Sequence, residues 1–151
     1  MIRAATPDDA PALYAIYRDA ARGSQPHYTE AQGRAWAPDD DMPDWWPERL
    51  APGLTWVAER DGTPVGFVTL TDAHLDFFFV APALRGQGIA SALYDHLIER
   101  AMAKGHNVLT VYASLFLHPI LSAKGWEVTE TQDVERDGQT LRRYMMKKVL
   151  R

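Results

Sequence analysis

The apolar positions of this chain change period along its length, and each change marks an element. Near the N-terminus Ala10, Leu13, Tyr14, Tyr17 and Ala20 or Ala21 recur at three- and four-residue spacing, which puts them on one face of a helix. The segment "TPDD" opens that helix, with Thr6 placed as N-cap, Pro7 at the first helical position and Asp9 able to close a capping box. The helix ends near Gly23, and residues 2 to 5 before it read as a short strand. A second helical pattern, "YTEAQGRAW" (28 to 36), takes Thr29 as its cap, after which Pro38, Pro43 and Pro47 break regularity.

From Leu54 the period becomes two. "LTWVAER" and "PVGFVTL" flank Asp61-Gly62, a dipeptide that supplies the positive φ angles of a tight hairpin. "HLDFFFV" (74 to 80) reads as a third strand, and its apolar run predicts burial on both faces at the sheet centre. Helical spacing then returns in Ile89, Leu93, His96, Leu97 and Ala101, ending at Lys104-Gly105, before the strand "NVLTVYA". Strand, helix and strand in succession make 75–80 and 108–113 parallel neighbours joined by a right-handed crossover. "HPILSAK" predicts a short helix closed by Gly125, and two final strands enclose a turn at Asp137-Gly138. The order predicts one α+β domain over residues 1–151, with a mixed, mostly antiparallel central sheet flanked by helices.

Composition narrows the function. The chain has 151 residues, 46% of them hydrophobic, enough for one core. It has no cysteine, which excludes disulfides, thiolate nucleophiles and Cys-ligated zinc. No metal site is expected. A formal charge of −4 argues against a phosphate-backbone footprint, so nucleic acid is not an expected partner. The N-terminus lacks a signal-peptide pattern and no segment is apolar for long enough to span a bilayer, so the expectation is a cytoplasmic protein without a membrane partner. Charge is uneven: residues 38 to 48 are acidic and residues 141 to 151 basic.

The stretch "FFFVAPALRGQGIASAL" (77 to 93) runs from strand through a glycine loop into a helix. The first N–H groups of a helix have no intrahelical partner, and the peptide dipoles place partial positive charge there. Glycines let a bulky anion reach those donors, and Arg85 adds a positive side chain. A tight strand-to-helix turn is the plain alternative. No "GxxxxGK[ST]" is present, which excludes a P-loop, and the third Gly of the dinucleotide fingerprint would fall at Ser91.

Arg85, Gly88 and Ala90 match the segment that defines the GNAT acyltransferase superfamily, with Val80, Pro82 and Ile89 at further family positions. The chain resembles that family over essentially its whole length. The resemblance implies acetyl-CoA as co-substrate, with strands splayed at the coenzyme site. Phe78, Phe79 and Val80 would offer main-chain groups to the pantetheine arm, and Arg85, Gly86, Gln87, Gly88, Ile89, Ala90 and Ser91 would surround the phosphates. A family acid that deprotonates the amine through water corresponds to Asp76, beside His74; alternation along the strand turns both toward one face. Glu59 is a weaker candidate base, and a main-chain N–H at Phe79 or Val80 could polarise the carbonyl. The family's proton-donating Tyr falls on Leu121, which has no proton to give. His118, Ser122 and Tyr112 are the substitutes nearby, and Leu121→Tyr is expected to preserve coenzyme binding and leave turnover equal or faster.

The resemblance implies that acceptor specificity comes from residues 22 to 53, which include His27, Tyr28, Trp36, Trp45 and Trp46; Tyr28, Trp36 and Trp45 are the candidate acceptor contacts, and Trp36 and one of Trp45 and Trp46 are expected to cover the core. The resemblance implies an acetyl-CoA-dependent N-acetyltransferase acting on a small-molecule amine by direct transfer, since there is no Cys for a thioester intermediate. The alternative is a non-catalytic acyl-CoA-binding sensor, for which Leu121 is the main argument. A third reading, an assembly protein pairing through its C-terminal hairpin, and a homodimer of the enzyme stay open.

Overall fold

The computed structural model describes residues 1–50 and 54–150. Strand β1 (Ile2–Ala4) leads through a 3-10 turn at Pro7–Asp9 into α1 (Ala10–Arg22), followed by α2 (Glu30–Trp36), α3 (Trp45–Leu50), β2 (Leu54–Arg60), β3 (Thr63–Thr71) and β4 (His74–Val80). The chain continues through α4 (Ile89–Ala103), β5 (Val108–Ser114), α5 (Leu117–Ser122), β6 (Glu127–Arg136) and β7 (Gln139–Val149). Seven strands form one sheet in the order β1-β2-β3-β4-β5-β7-β6. Every neighbouring pair is antiparallel except β4 and β5. No described helix is long and apolar enough to cross a membrane.

Local chemistry sets the turns. Asp61 (φ 55) and Gly62 (φ 78) close the β2–β3 hairpin, and Asp137 (φ 47) with Gly138 (φ 72) close β6–β7, both in the left-handed geometry that matches strand twist. Thr29 caps α2 as expected: its hydroxyl accepts the Gln32 N–H at 3.1 Å while the Gln32 side chain accepts the Thr29 N–H at 2.9 Å. At the first helix the Asp9 carboxylate takes the Thr6 N–H at 2.7 Å and a forked pair from the Arg3 guanidinium at 2.7 and 2.8 Å. Arg3 holds the Asp9 carboxyl down at about 2.

The element that departs from the sequence reading is α3. Three prolines predict an irregular stretch here, yet Trp45–Leu50 is helical. Pro47 is tolerated because it sits in the first turn, where an N–H has no intrahelical acceptor. The driving force is Trp46, which is wholly buried and donates its indole N–H to the Ala10 carbonyl at 2.9 Å. Its ring packs against Tyr14, Tyr17, Phe67 and Phe77 with centroids 4.9 to 6.0 Å apart. One side of the sheet is thus sealed by α1, α3 and an aromatic layer. The other is sealed by α4, whose Ile89, Leu93, Tyr94, Leu97 and Ala101 are buried against β2 to β5.

Trp46 therefore carries both a large apolar burial and a buried hydrogen bond. Trp46→Ala is expected to destabilise the fold by about 3–5 kcal/mol, in the range for deleting a large buried aromatic. A urea titration in which the midpoint falls without a change in slope checks this, and a loss under about 1 kcal/mol would refute the anchoring role.

Candidate active site

Strands β4 and β5 pair at two positions only, His74 with Thr110 and Leu75 with Val111, and then diverge. The divergence begins at a bulge. On the opposite side of β4, Leu75 faces Leu70 and Phe77 faces Thr69, so Asp76 has no residue opposite it. An inserted residue bends and over-twists its strand, which carries the rest of β4 away from β5. A cleft of about 770 Å³ opens there, lined by residues of β4, β5, the glycine loop and the N-terminal helices.

The bulge corrects one sequence expectation. Period-two alternation does not pass through Asp76: Leu75 packs with the α4-side core and Phe77, two residues on, with the α1-side aromatic layer. His74 and Asp76 nevertheless both line the cleft. Both faces of β4 are covered, as expected at the sheet centre, with Leu75, Phe78 and Val80 on the α4 side and Phe77 and Phe79 in the aromatic layer, while Phe78, Phe79 and Val80 also form cleft wall.

The open edge of β4 has a defined polarity. Ala81 donates its N–H to Val65 of β3 at 2.9 Å. Alternation then turns the main-chain groups of Phe79 toward β3 and those of Phe78 and Val80 toward the gap. Phe79 is accordingly placed by its ring, against Tyr17 and Phe67 at 5.1 and 5.9 Å, and its main chain belongs to the β3 ladder.

Beyond this edge Gly86 (φ 80) and Gly88 (φ 85) adopt left-handed geometry that side chains resist, and a Cβ at either would meet no protein atom within 4 Å. Both φ angles are needed by the turn, and the space over it is open. Helix α4 starts directly after, with Ala92 donating to the Gly88 carbonyl at 3.1 Å as its first turn. The N–H groups of Ile89, Ala90 and Ser91 precede any intrahelical acceptor, and all three residues line the cleft.

The charge at this loop differs from expectation. The Arg85 guanidinium donates to the carbonyls of Gly23 and Ala20 at 3.0 and 3.4 Å and stacks on Phe116 at 4.4 Å. It ties the loop to the C-terminal end of α1, where a cation complements the helix dipole, and burial lowers its pKa. The Gln87 side chain accepts from Arg60, which brings a guanidinium from the β2–β3 hairpin to the loop. Gln87 itself does not line the cleft.

At the bulge, His74 Nδ1 lies 2.8 Å from Thr110 Oγ1 and its ring lies 4.9 Å from that of Tyr112. Burial, first of all, pushes the His74 pKa below its ordinary value, with Arg143 and Arg49 acting the same way and Asp76 opposing. The Asp76 carboxylate receives Arg49 Nη2 at 2.8 Å. Tyr17 lines the cleft with its hydroxyl donated to the Trp36 carbonyl at 2.6 Å, and burial pushes its pKa up to about 12.

Other candidates lie elsewhere. His118 stacks on Tyr144 at 4.3 Å and does not line the cleft. Leu121 is fully buried in the α4-side core, away from the cleft lining, so a Tyr there would overpack that core. Of the three substitutes considered, Tyr112 alone lines the cleft. Glu59 is paired with Arg3 in the β1–β2 cluster. On the acceptor side Tyr28 is buried, its hydroxyl donating to the Arg142 carbonyl and accepting from the Leu115 N–H, so it fastens α2 to the C-terminal strands while one face meets the cleft. Trp36 and Trp45 line the cleft; Trp45 is 42% exposed and Trp46 fully buried, the division of roles expected of that pair. Residues 51 to 53 of the acceptor segment lie outside the described residues. Sequence reasoning missed Arg49 and Arg143, which no motif marks.

A splayed parallel pair with an open main-chain edge, running into a glycine turn and a bare helix N-terminus, defines an acyl-CoA-dependent acyltransferase. The comparisons agree. The sequence profile described as acetyltransferase (GNAT) domain matches residues 24–149. The uncharacterized N-acetyltransferase YafP of Escherichia coli is 34% identical over 147 residues, 97% of this chain and 93% of that protein. A GCN5-related N-acetyltransferase structure from Rhodopseudomonas palustris superposes with a TM-score of 0.89 at 31% identity, over 99% of this chain and 94% of that one. The peptidyl-lysine N-acetyltransferase YjaB of Salmonella typhimurium is 44% identical over 54 residues, 35% of this chain and 37% of its own. The chain belongs to the GNAT acetyltransferase family. It is an N-acetyltransferase, which sets aside the non-catalytic sensor as its main reading.

The open space over Gly88 yields a test of the coenzyme loop. Gly88→Val places a β-branched side chain at φ 85 and into that space. The thermal stabilisation that coenzyme A confers on the wild-type chain is expected to vanish in the variant. Undiminished stabilisation, measured by differential scanning fluorimetry, would remove the loop from the coenzyme site.

Proposed function

We propose that this enzyme transfers an acetyl group directly from acetyl-CoA to the amine of a small molecule, with His74 as general base. The observation that carries this reading is the placement of a partly buried imidazole, its pKa lowered and one ring nitrogen engaged by Thr110, where β4 and β5 part. An imidazole of this kind is neutral at neutral pH and can accept a proton from an ammonium. Asp76, bound to Arg49, positions the neighbouring charge and is the less available base.

Pantetheine lies along the gap edge, pairing with the outward main-chain groups of Phe78 and Val80 as an added strand. The diphosphate sits on the amides of residues 86 to 91, with Arg60 near them. The amine nitrogen, its first proton passed to His74, attacks the thioester carbon; an outward amide of β4 stabilises the oxyanion; the C–S bond breaks as the thiolate takes a proton from Tyr112, and the second proton lost by the nitrogen restores the Tyr112 hydroxyl. The chain has no cysteine to carry the acetyl group between donor and acceptor.

The small-molecule acceptor is supported by the walls of the cleft, where Tyr17, Trp36 and Trp45 from the N-terminal helices enclose the side facing β4. The similarity to a peptidyl-lysine enzyme spans 35% of the chain and does not carry the acceptor class.

His74→Gln is expected to lower kcat/KM by about 10²–10⁴-fold with coenzyme affinity retained. In the wild-type enzyme the imidazole's limb of the pH profile lies below about 6.5, because a lowered pKa keeps the base neutral further into acid. The variant should lose that limb. A wild-type limb above that value, or one that persists in the variant, would assign the base elsewhere.

A further inference from the structure

Four arginines line the cleft together with Asp39, Asp76 and Asp137, and each arginine is held differently. Arg49 is bound to Asp76 at 2.8 Å, Arg85 to carbonyls at the end of α1, and Arg136 to the Glu135 carbonyl at 2.8 Å. Arg143, on β7, is different. Its Nε donates to Gln132 at 2.9 Å and its guanidinium carbon lies 4.3 Å from the centroid of the Tyr112 ring. Among the described residues no carboxylate lies within ion-pair distance of it, and its Nη groups donate to no protein acceptor. The stack and the Nε bond fix the plane of the guanidinium while leaving the donating end open to the cleft.

A half-buried, oriented and uncompensated guanidinium beside the base is a receptor for an anion on the acceptor. We infer that the acceptor carries a carboxylate close to its reactive amine, as a free amino acid does, and that Arg143 is the specificity-determining residue that binds it. This rests on the acetyltransferase reading above and names the substrate class within it. His74 and Arg143 both lie within 5 Å of the Tyr112 ring, at 4.9 and 4.3 Å, so one ligand the size of an amino acid reaches both. The planar fork of an arginine matches the two oxygens of a carboxylate, which fixes the amine's direction as well as its distance. A lysine side chain within a protein has no carboxylate at that spacing, so the same residue selects against a peptidyl acceptor.

The arrangement also couples binding to chemistry. Arg143 is one of the charges that disfavour a protonated His74. A carboxylate that neutralises it removes that opposition, so the imidazole becomes a better proton acceptor when a cognate acceptor is in place.

The test pairs each amino acid with its carboxamide, which keeps the amine and side chain and removes the negative charge. Thiol release from acetyl-CoA is measured against both sets, for the wild type, Arg143→Gln and Arg143→Lys. The expected result is turnover of at least one free amino acid with KM about 10–100-fold below that of its amide. Arg143→Gln abolishes that difference while KM for acetyl-CoA is unchanged, and Arg143→Lys restores part of it. Equal or better turnover of amides or of amines without a carboxylate overturns the inference and leaves the acetyltransferase reading intact. A binding readout separates the two further: N-acetyl amino acids, the products, should stabilise the coenzyme-bound wild type thermally where their amides do not. Arg143-dependent stabilisation without any turnover would uphold the anion site and sink the small-molecule transfer reading; absence of both overturns the inference itself.

Discussion

The structure depends on one interruption: β4 stops pairing with β5 after Leu75. Leaving a row of main-chain donors and acceptors without a strand partner forfeits hydrogen bonds worth on the order of 1 kcal/mol each, and it is tolerated only where water or a ligand can satisfy them. The bulge at Asp76 makes the interruption structural and not a matter of fraying, because the over-twisted strand cannot regain β5 without losing its register with β3. The aromatic layer of Tyr17, Trp46, Phe67, Phe77 and Phe79 holds β4 in that bent course from one side, and α4 with Leu93 and Leu97 holds it from the other.

A parallel pair also needs a crossover, and the crossover here is α4. A right-handed connection from the end of β4 to the start of β5 brings a helix N-terminus back to the end of the diverging strand. The open edge and the bare helix amides therefore come from the same topological fact, and a ligand with an amide-bearing arm and a diphosphate meets both in sequence. Gly66 shows how tightly the parts are fitted: a Cβ there would lie 3.1 and 3.2 Å from Leu93 and Ile89 side-chain atoms and 3.1 Å from the Phe79 carbonyl, so any side chain would make α4 or β4 give way by a few tenths of an ångström.

Much of this was legible because it is local. The Asp61-Gly62 and Asp137-Gly138 turns, the Thr29 cap, the face of α4 and the glycine loop all follow from residues within a few positions of one another. What sequence did not show depends on partners far along the chain. Helix α3 forms in spite of its prolines because Trp46 finds Ala10 and the aromatic layer. Arg85 turns from the loop because the end of α1 lies beneath it. The bulge is invisible in "HLDFFFV", since His74 to Phe77 alternate as a regular strand would and nothing local marks Asp76 as the extra residue. Counting from a family motif placed the missing Tyr at Leu121, but the count says nothing of depth, and that side chain is in the core.

The cleft's electrostatics follow from how each charge is paired. Asp76 and Arg49 neutralise one another across the β4–α3 boundary, so the pair contributes shape and hydrogen bonding with little net field. Asp39, Asp137, Arg85 and Arg136 also line the cleft, the two arginines bound to carbonyls, and beside the base stands Arg143, which like His74 packs on Tyr112. A free amine acceptor arrives as an ammonium, which a net positive site repels; an acceptor that also brings a negative group arrives neutral overall and meets each charge with its opposite. Placing the base and the cation on β4 and β7, separate strands on either side of β5, ties acceptor selection to the same parting of strands that admits the coenzyme.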